Sequence, residues 1–319
     1  MSLFKVRVSE IVEETADIKS FRLSRLDGRP FDPYAPGAHI DVVGPTDLVR
    51  QYSLVSPAHE PNSFVIAVKR EPSSRGGSAA LHELHVGSVL EISQPRNLLG
   101  VATDADKHLL VGAGIGVTPL VSIAYHLARH GERFEFHYFA RSREDAAFVD
   151  LLENRSGFGD RVFLHFGVAR EDQAGVLERT MGGLTSRSHV YTCGPEGFME
   201  RIETLTAPLV GADHVHIEHF QASVPSGDTT DTAFEVELDT GEVFQVPADV
   251  SVVDVLRANG IDVETSCREG ICGTCVNGVL EGLPEHRDNC LSRSDRAAND
   301  QMALCVSRSR TPRLVIELY

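Results

Sequence analysis

Cys267-Arg268-Glu269-Gly270-Ile271-Cys272-Gly273-Thr274-Cys275 is the stretch around which the 319-residue chain is organised, and Cys305 is its distant partner. Four residues separate the first two cysteines, two separate the next pair, and twenty-nine lie between Cys275 and Cys305. This C-x4-C-x2-C…C run is the plant-type [2Fe–2S] spacing, in which four thiolates, here Cys267, Cys272, Cys275 and Cys305, hold two irons. A cluster with four thiolates is anionic, so nearby N–H groups must turn inward and donate to sulfur. Gly270 and Gly273 permit that tight wrap. Three simpler readings compete. A disulfide framework suits small secreted chains better than one of this size. A zinc site asks for paired C-x2-C knuckles, and only one such pair exists. Cys272-x-x-Cys275 as a thioredoxin-like pair lacks the strand-to-helix context of that motif. Cys193 and Cys290 are left over, and Cys290, among Asp288, Asn289 and Ser292, reads as a thiol without a role.

Length allows two or three domains with separate cores. Hydrophobic residues make up 42% and charged residues 24%, which is ordinary for a globular chain. No apolar run approaches the roughly twenty residues of a membrane span. Met1 to Glu10 alternates like a strand and lacks the apolar core of a signal peptide, so cytoplasm is the expected location. The net charge of −16 argues against nucleic acid. That charge is uneven: residues 1–102 carry 11 basic and 12 acidic groups, 103–232 carry 11 and 19, and 233–319 carry 8 and 15. The acidic final third could steer a basic protein partner, or simply keep molecules apart.

The first hundred residues alternate like half-buried strands at Phe4–Val8, Ile18–Leu23, Phe64–Val68 and Val89–Ile92, and only Ser78–Leu84 suggests a helix. A small antiparallel barrel is expected. Arg50-Gln51-Tyr52-Ser53 places a cation, a ring and a hydroxyl close together at a strand. Val68-Lys69-Arg70 precedes Ser74-Arg75-Gly76-Gly77-Ser78, where Gly-Gly before a capping Ser, with Arg75 beside it, reads as a phosphate cradle. R-x-Y-S followed about two dozen residues later by G-G-S resembles the flavin domain of the ferredoxin–NADP⁺ reductase superfamily. The resemblance implies that the Tyr52 ring lies against the flavin, and that Arg50, Arg75 and the Gly76–Ser78 turn bind its phosphate.

From His108-Leu109-Leu110-Val111 the pattern changes to strand, glycine turn and helix. Gly112-Ala113-Gly114-Ile115-Gly116-Val117-Thr118-Pro119 feeds a helix expected over Leu120–His130, an arrangement suited to pyrophosphate. The spacing is G-x-G-x-G and departs from the G-x-G-x-x-G dinucleotide fingerprint. It does resemble the pyridine-nucleotide half of the same superfamily. Strand Phe134–Phe139, helix Asp145–Glu153, strands Arg161–Phe166 and His189–Thr192 and helix Glu196–Leu205 then predict a parallel α/β sheet. Cys193-Gly194-Pro195 ends a strand, where ligands of open α/β sheets bind, and the resemblance places it near the nicotinamide. Arg141 and Ser142 fall where the adenine ribose is expected, without the acidic residue that marks NAD. Phe220 is either a ring over the flavin, as in relatives, or a core aromatic.

Residues 222–232 have linker composition. Phe234–Leu238 and Glu242–Val246 form a hairpin around Asp239-Thr240-Gly241, and Ser251 with Asp254 starts a helix over Val252–Ala258. Strands are expected at Val276–Leu280, Leu304–Val306 and Leu314–Leu318, and the set resembles the β-grasp of plant-type ferredoxins.

Taken whole, the chain resembles the phthalate dioxygenase reductase family, in the order flavin, nicotinamide, ferredoxin. This resemblance implies an antiparallel β-barrel holding FMN (1–102), an α/β parallel-sheet NAD domain (103–221), a linker (222–232) and a β-grasp [2Fe–2S] ferredoxin domain (233–319). FMN and the preference for NADH rest on the family likeness. It further implies an NADH-dependent iron–sulfur flavoprotein that passes electrons to a Rieske-type oxygenase acting on an aromatic substrate; a monomer without nucleic acid or membrane partner is expected. A general NAD(P)H-acceptor reductase and a redox sensor are the alternatives. Hydride transfer needs no general acid or base, and no Ser/His/Asp or paired-carboxylate arrangement stands out.

Overall fold

Alternation of apolar and polar residues produces six strands in the first hundred positions: β1 (Leu3–Glu13), β2 (Ile18–Arg25), β3 (His39–Val43), β4 (Val49–Ser53), β5 (Phe64–Lys69) and β6 (Val89–Ser93). Val6 and Val8 point inward and Lys5 and Arg7 outward, the two-residue period of a half-buried strand. The strands pair antiparallel in the order β4-β3-β6-β1-β2-β5, and a bridge between Leu54 and Ile66 joins the two ends, closing a barrel. Helix α1 (Gly77–His82) follows β5. The computed structural model describes residues 3–60, 62–72, 76–221 and 231–318. The expected linker lies largely outside the described residues.

Five parallel strands follow: β7 (His108–Ala113), β8 (Phe134–Ala140), β9 (Val162–Phe166), β10 (His189–Cys193) and β11 (Val215–Glu218), in the order β11-β10-β7-β8-β9. His108 to Gly112 are all buried, as expected for a parallel sheet covered on both faces. Helices α2 (Val117–Arg129), α3 (Gln173–Met181) and α4 (Glu196–Val210) supply the cover. Barrel and sheet share one core, in which Ile18, Val55, Ala67 and Leu99 join Leu120, Ile123, Phe136 and Tyr138.

Three expected elements differ. Helix α2 begins at Val117, three residues before the expected Leu120, because Gly114–Gly116 forms a single tight turn that runs directly into it. The Asp145–Glu153 helix is replaced by one wide turn at Leu151–Arg155. Phe148 there takes a left-handed φ of 63°, and its N–H donates to Glu14 Oε2 at 3.0 Å, so helical bonding cannot run through it. Helix α3 is not signalled by the sequence pattern, yet β9 and β10, consecutive in the chain and parallel in one sheet, need a crossover connection of this kind.

The second unit begins at His219, the first running to Glu218. It contains β12 (Phe234–Leu238), β13 (Val243–Val246), α5 (Val252–Ala258), β14 (Val276–Glu281), β15 (Pro284–Glu285), α6 (Arg293–Ala298), β16 (Gln301–Ala303), β17 (Arg308–Ser309) and β18 (Arg313–Glu317). Its main sheet is ordered β13-β12-β18-β14-β16, with β12 and β18 parallel, while β15 pairs with β17. Helix α5 occupies the expected span, and Ser251 caps it by accepting from the Asp254 N–H at 3.1 Å. Residues Leu304–Val306 are a turn; the strand stops at Ala303. The Leu304 N–H donates to the Cys275 carbonyl at 3.0 Å, which bends the chain so that Cys305 meets Cys275.

Truncating Phe136, fully buried in the shared core, to Ala is expected to cost about 3–5 kcal/mol. Val243→Ser, at a side chain 50% exposed, should stay within about 0.5 kcal/mol. Urea unfolding of the two variants checks both.

Candidate functional site

At the carboxyl ends of the parallel strands, register brings three expected residues into line. Cys193 lies opposite Gly112 on β7 and opposite Glu218 on β11. A Cβ on Gly116 would stand 2.3 Å from the Cys193 carbonyl oxygen and 2.6 Å from the Gly194 nitrogen, so the glycine turn and the Cys193-Gly194-Pro195 turn touch backbone to backbone. A Cβ on Gly112 would meet Leu120 at 2.9 Å, and one on Gly194 would meet Ala113 Cβ at 3.0 Å. Gly116 is glycine because the two turns approach too closely for any side chain, whereas at Gly112 the Leu120 side chain would have to shift. Val117 and Thr118 are buried at the start of α2, and the Thr118 hydroxyl donates to the Ile115 carbonyl at 3.0 Å. Gly114 occupies the turn itself. Arg141 and Ser142 follow β8 at the same end of the sheet; Arg141 is highly exposed and pairs with Asp145 at 3.4 Å, which also accepts from Ser142.

The barrel brings its own set together. Arg50, Gln51, Tyr52 and Ser53 lie on β4. Arg50 passes over Gly77, where a Cβ would meet Arg50 Cγ at 3.4 Å and Nε at 3.7 Å. The guanidinium and the Gly76–Ser78 turn therefore form one cradle, joined from distant parts of the sequence. The Ser78 hydroxyl accepts from the Glu71 N–H at 3.2 Å. Gln51 donates to buried Asp41 at 2.6 Å, which Arg96 also pairs at 2.8 Å. Tyr52 is half-buried on the barrel core, and burial pushes its hydroxyl up to about 12. Val68 packs wholly within that core and its carbonyl bonds the His82 ring at 2.8 Å, leaving Lys69 and Arg70 as the outward members of this segment. Lys69 pairs with Glu71 at 3.2 Å. Arg75 lies outside the described residues.

Glu218 joins the two sets, and the sequence reading missed it. The Ser53 hydroxyl lies 3.5 Å from both Glu218 oxygens, across the junction of barrel and sheet. Burial pushes the Glu218 carboxyl up to about 8, opposed by the Ser53 hydrogen bond. Burial and the neighbouring Glu218 also raise the Cys193 thiol well above its ordinary range. A neutral carboxyl, a hydroxyl and a thiol thus meet where R-x-Y-S and Cys-Gly-Pro converge. The available signal was positional: Glu218 ends the strand beside Cys193. Phe220, two residues later, is 39% exposed and belongs to the second unit.

The four cysteines of the second unit form two pairs. All are free thiols, with Cys272, Cys275 and Cys305 buried. Cys267 acts on Cys272 and Cys305 on Cys275, and within each pair the contact lowers one sulfur, Cys272 or Cys275, and raises the other. The Glu269 N–H donates to Cys267 at 3.3 Å and the Cys267 N–H to Cys272 at 3.5 Å; N–H groups of Thr274 and Gly270 face Cys272 and Cys305. Gly270, at φ 72°, is required doubly, because a Cβ there would meet Val306 at 2.7 Å and the Asp288 Cα at 3.0 Å. Two thiolate pairs facing inward-turned N–H groups suit a two-iron cluster, with two sulfurs for each iron.

Residues 236–310 match the family model of the 2Fe-2S iron-sulfur cluster binding domain. The chain is 43% identical over 310 residues to a vanillate O-demethylase oxidoreductase of Pseudomonas putida, covering 96% of this chain and 97% of that one. Its fold matches phthalate dioxygenase reductase, described as a modular structure for electron transfer from pyridine nucleotides to [2Fe-2S], with TM-score 0.71 and 32% identity over 99% and 98% of the two chains. The chain belongs to the phthalate dioxygenase reductase family. A carnitine monooxygenase reductase subunit of Escherichia coli is 36% identical over 99% of this chain and 98% of its own. An intact type IV self-sufficient cytochrome P450 monooxygenase matches 98% of this chain with TM-score 0.88 and 34% identity, and the chain spans 41% of that longer protein. The family is one of iron–sulfur flavoprotein oxidoreductases, and the barrel, parallel sheet and ferredoxin fold expected from the sequence are all present. Among the described residues no helix is long and apolar enough to cross a membrane.

Two predictions follow from this geometry. Gly116→Ala displaces the Cys193–Gly194 backbone, and a shift of about 1 Å there should slow NADH-driven flavin reduction by about 100-fold, read by stopped-flow absorbance. Glu218 contributes stability that is complete below its unfolded value near 4.5 and is lost as pH rises through about 8. Between pH 6 and 8 the native protein should therefore lose about 2 kcal/mol relative to Glu218→Gln, measured by urea unfolding at each pH.

Proposed function

We propose that this chain is the NADH-dependent reductase component of a Rieske-type oxygenase system acting on an aromatic ring compound, with an aromatic ether such as the vanillate of its 43%-identical relative as the model substrate. The observation that carries the reading is that one chain holds both the Ser53–Glu218–Cys193 junction and the two thiol pairs of the Cys267–Cys275 loop with Cys305. When bound, a flavin accepts the two electrons of a hydride together and releases them singly to a one-electron cluster.

The chain's own residues have binding and positioning tasks. Arg50 and the Gly76–Ser78 turn would hold the phosphate of FMN, the Tyr52 ring would lie along its isoalloxazine, and Lys69, Arg70 and Arg75 would add positive charge around it. The Gly112–Thr118 turn would receive the pyrophosphate of NADH, Cys193-Gly194-Pro195 its nicotinamide, and Arg141 with Ser142 its adenine ribose. Glu218, kept largely protonated by burial, would hold a proton at its carboxyl beside Ser53. Phe220 would cover the flavin ring. Cys267 with Cys272 would bind one iron, and Cys275 with Cys305 the other. The boundaries are 1–102, 103–221, 222–232 and 233–319, for barrel, nucleotide domain, linker and ferredoxin domain. The protein is proposed to act as a monomer in the cytoplasm, an environment that keeps cysteines from forming disulfides.

The purified protein should release FMN on denaturation and show flavin and cluster absorbance that both bleach with NADH. Cys272→Ser should abolish the cluster and spare flavin bleaching, and Arg50→Ala should weaken flavin retention with the cluster intact. Transfer of electrons to a purified aromatic O-demethylase oxygenase supports the reading. Fast turnover with artificial acceptors but none with any oxygenase would favour a general acceptor reductase. Slow turnover with redox-dependent partner binding would favour a sensor.

A further inference from the structure

Behind the cluster loop sits a carboxylate to which no role has been given. Asp288 is 2% exposed. Its Oδ2 accepts from the Leu291 N–H at 2.9 Å and from the Cys290 thiol at 3.5 Å, and its Oδ1 accepts from the Ser307 hydroxyl at 3.3 Å. His286 stands 3.7 Å from Oδ1 and Arg296 stands 3.8 Å from Oδ2, while Arg296 also donates to the Asp288 carbonyl.

Asp288 touches both ligand-bearing segments, at Gly270 and at Ser307. The Asp288 Cα is 3.0 Å from where a Gly270 Cβ would be, and the next residue, Asn289, donates its N–H to the Gly270 carbonyl at 2.8 Å. Ser307 lies two residues beyond Cys305 and also accepts from the Arg287 N–H at 3.2 Å. The Cys290 thiol, which donates to Asp288, packs against the core that contains Cys275 and Cys305. A buried carboxylate is costly without partners; here the hydrogen bonds from Leu291, Cys290 and Ser307, with Arg296 at 3.8 Å and itself partly exposed, offset that cost.

We propose that Asp288 is a positioning residue that sets the reduction potential of the cluster: its carboxylate anchors the turn that holds Gly270 and Cys305, and its buried negative charge disfavours the extra electron. The inference rests on the cluster reading above. Reduction adds one electron and neither forms nor breaks a bond, so the protein controls it through fixed charge and hydrogen bonds near the sulfurs. Asp288 supplies one negative charge within the buried network, and Arg296 partly neutralises it.

Opposite substitutions separate charge from mere structure. Asp288→Asn keeps shape and an acceptor for the Leu291 N–H while removing the charge, and should move the cluster potential positive. Arg296→Gln removes the neutralising cation and should move it negative. A structural disturbance common to both would shift them in the same direction. The measurement is a spectroelectrochemical titration of the full-length holoprotein followed by the EPR signal of the reduced cluster, with NADH-driven flavin bleaching as an internal control that neither variant should change. A positive shift for Asp288→Asn with a negative shift for Arg296→Gln supports the proposal. Unchanged potentials, shifts of one sign, or the reversed pair of signs overturn it. If Asp288→Asn cannot retain the cluster, Arg296→Gln decides alone: a negative shift supports the role of charge, and no shift or a positive one refutes it. A wild-type protein with neither iron nor EPR signal would refute the cluster reading itself, a result distinct from any of these.

Discussion

A hydride delivers two electrons together and an iron–sulfur cluster accepts one, so a chain that joins them needs an intermediate carrier and separate places for each exchange. This constraint accounts for the division of labour in the fold. A closed antiparallel barrel presents Arg50 and Tyr52 from β4 beside a glycine turn. A parallel sheet gathers Gly112, Cys193 and Glu218 at one end because parallel strands all finish on the same side. A small mixed sheet carries a loop that folds its N–H groups inward around thiols.

Barrel and sheet act together through their shared core. Ser53 belongs to the barrel and Glu218 to the last sheet strand, and they meet only because Ile18, Val55, Ala67 and Leu99 pack with the residues of α2 and β8. Backbone proximity between Gly116 and Cys193 sets the other side of the junction. Any side chain at Gly116 would separate the turns before it altered chemistry, which is why packing and function cannot be changed independently there.

The most legible parts of the sequence were those governed by local rules. Four cysteines at fixed spacing, the Ser251–Asp254 cap and the strand alternation of Lys5–Val8 each carry their meaning within a few residues. The cradle of Arg50 and Gly77 was legible as two pieces, and the fold joins them. Glu218 was not legible, because a carboxyl after an apolar strand signifies nothing until β11 is registered against β10 and Ser53 arrives from a strand some 165 positions earlier. Local pattern also misled at Asp145–Glu153, where Glu14 captures the Phe148 N–H, and at Leu304–Val306, where Cys275 bends an apolar run into a turn. Long-range bonds overrode propensity in both cases. Asp288 belongs with Glu218: its burial depends on Gly270, Ser307 and Arg296, which are scattered along the sequence.

Anaerobic titration of the purified holoprotein with NADH, followed at flavin and cluster wavelengths, tests the account most directly. Two electrons for the flavin and one for the cluster predict full reduction at about one and a half equivalents of NADH per chain. An endpoint near one equivalent with the cluster signal unchanged, or no flavin bleaching at all, would contradict it.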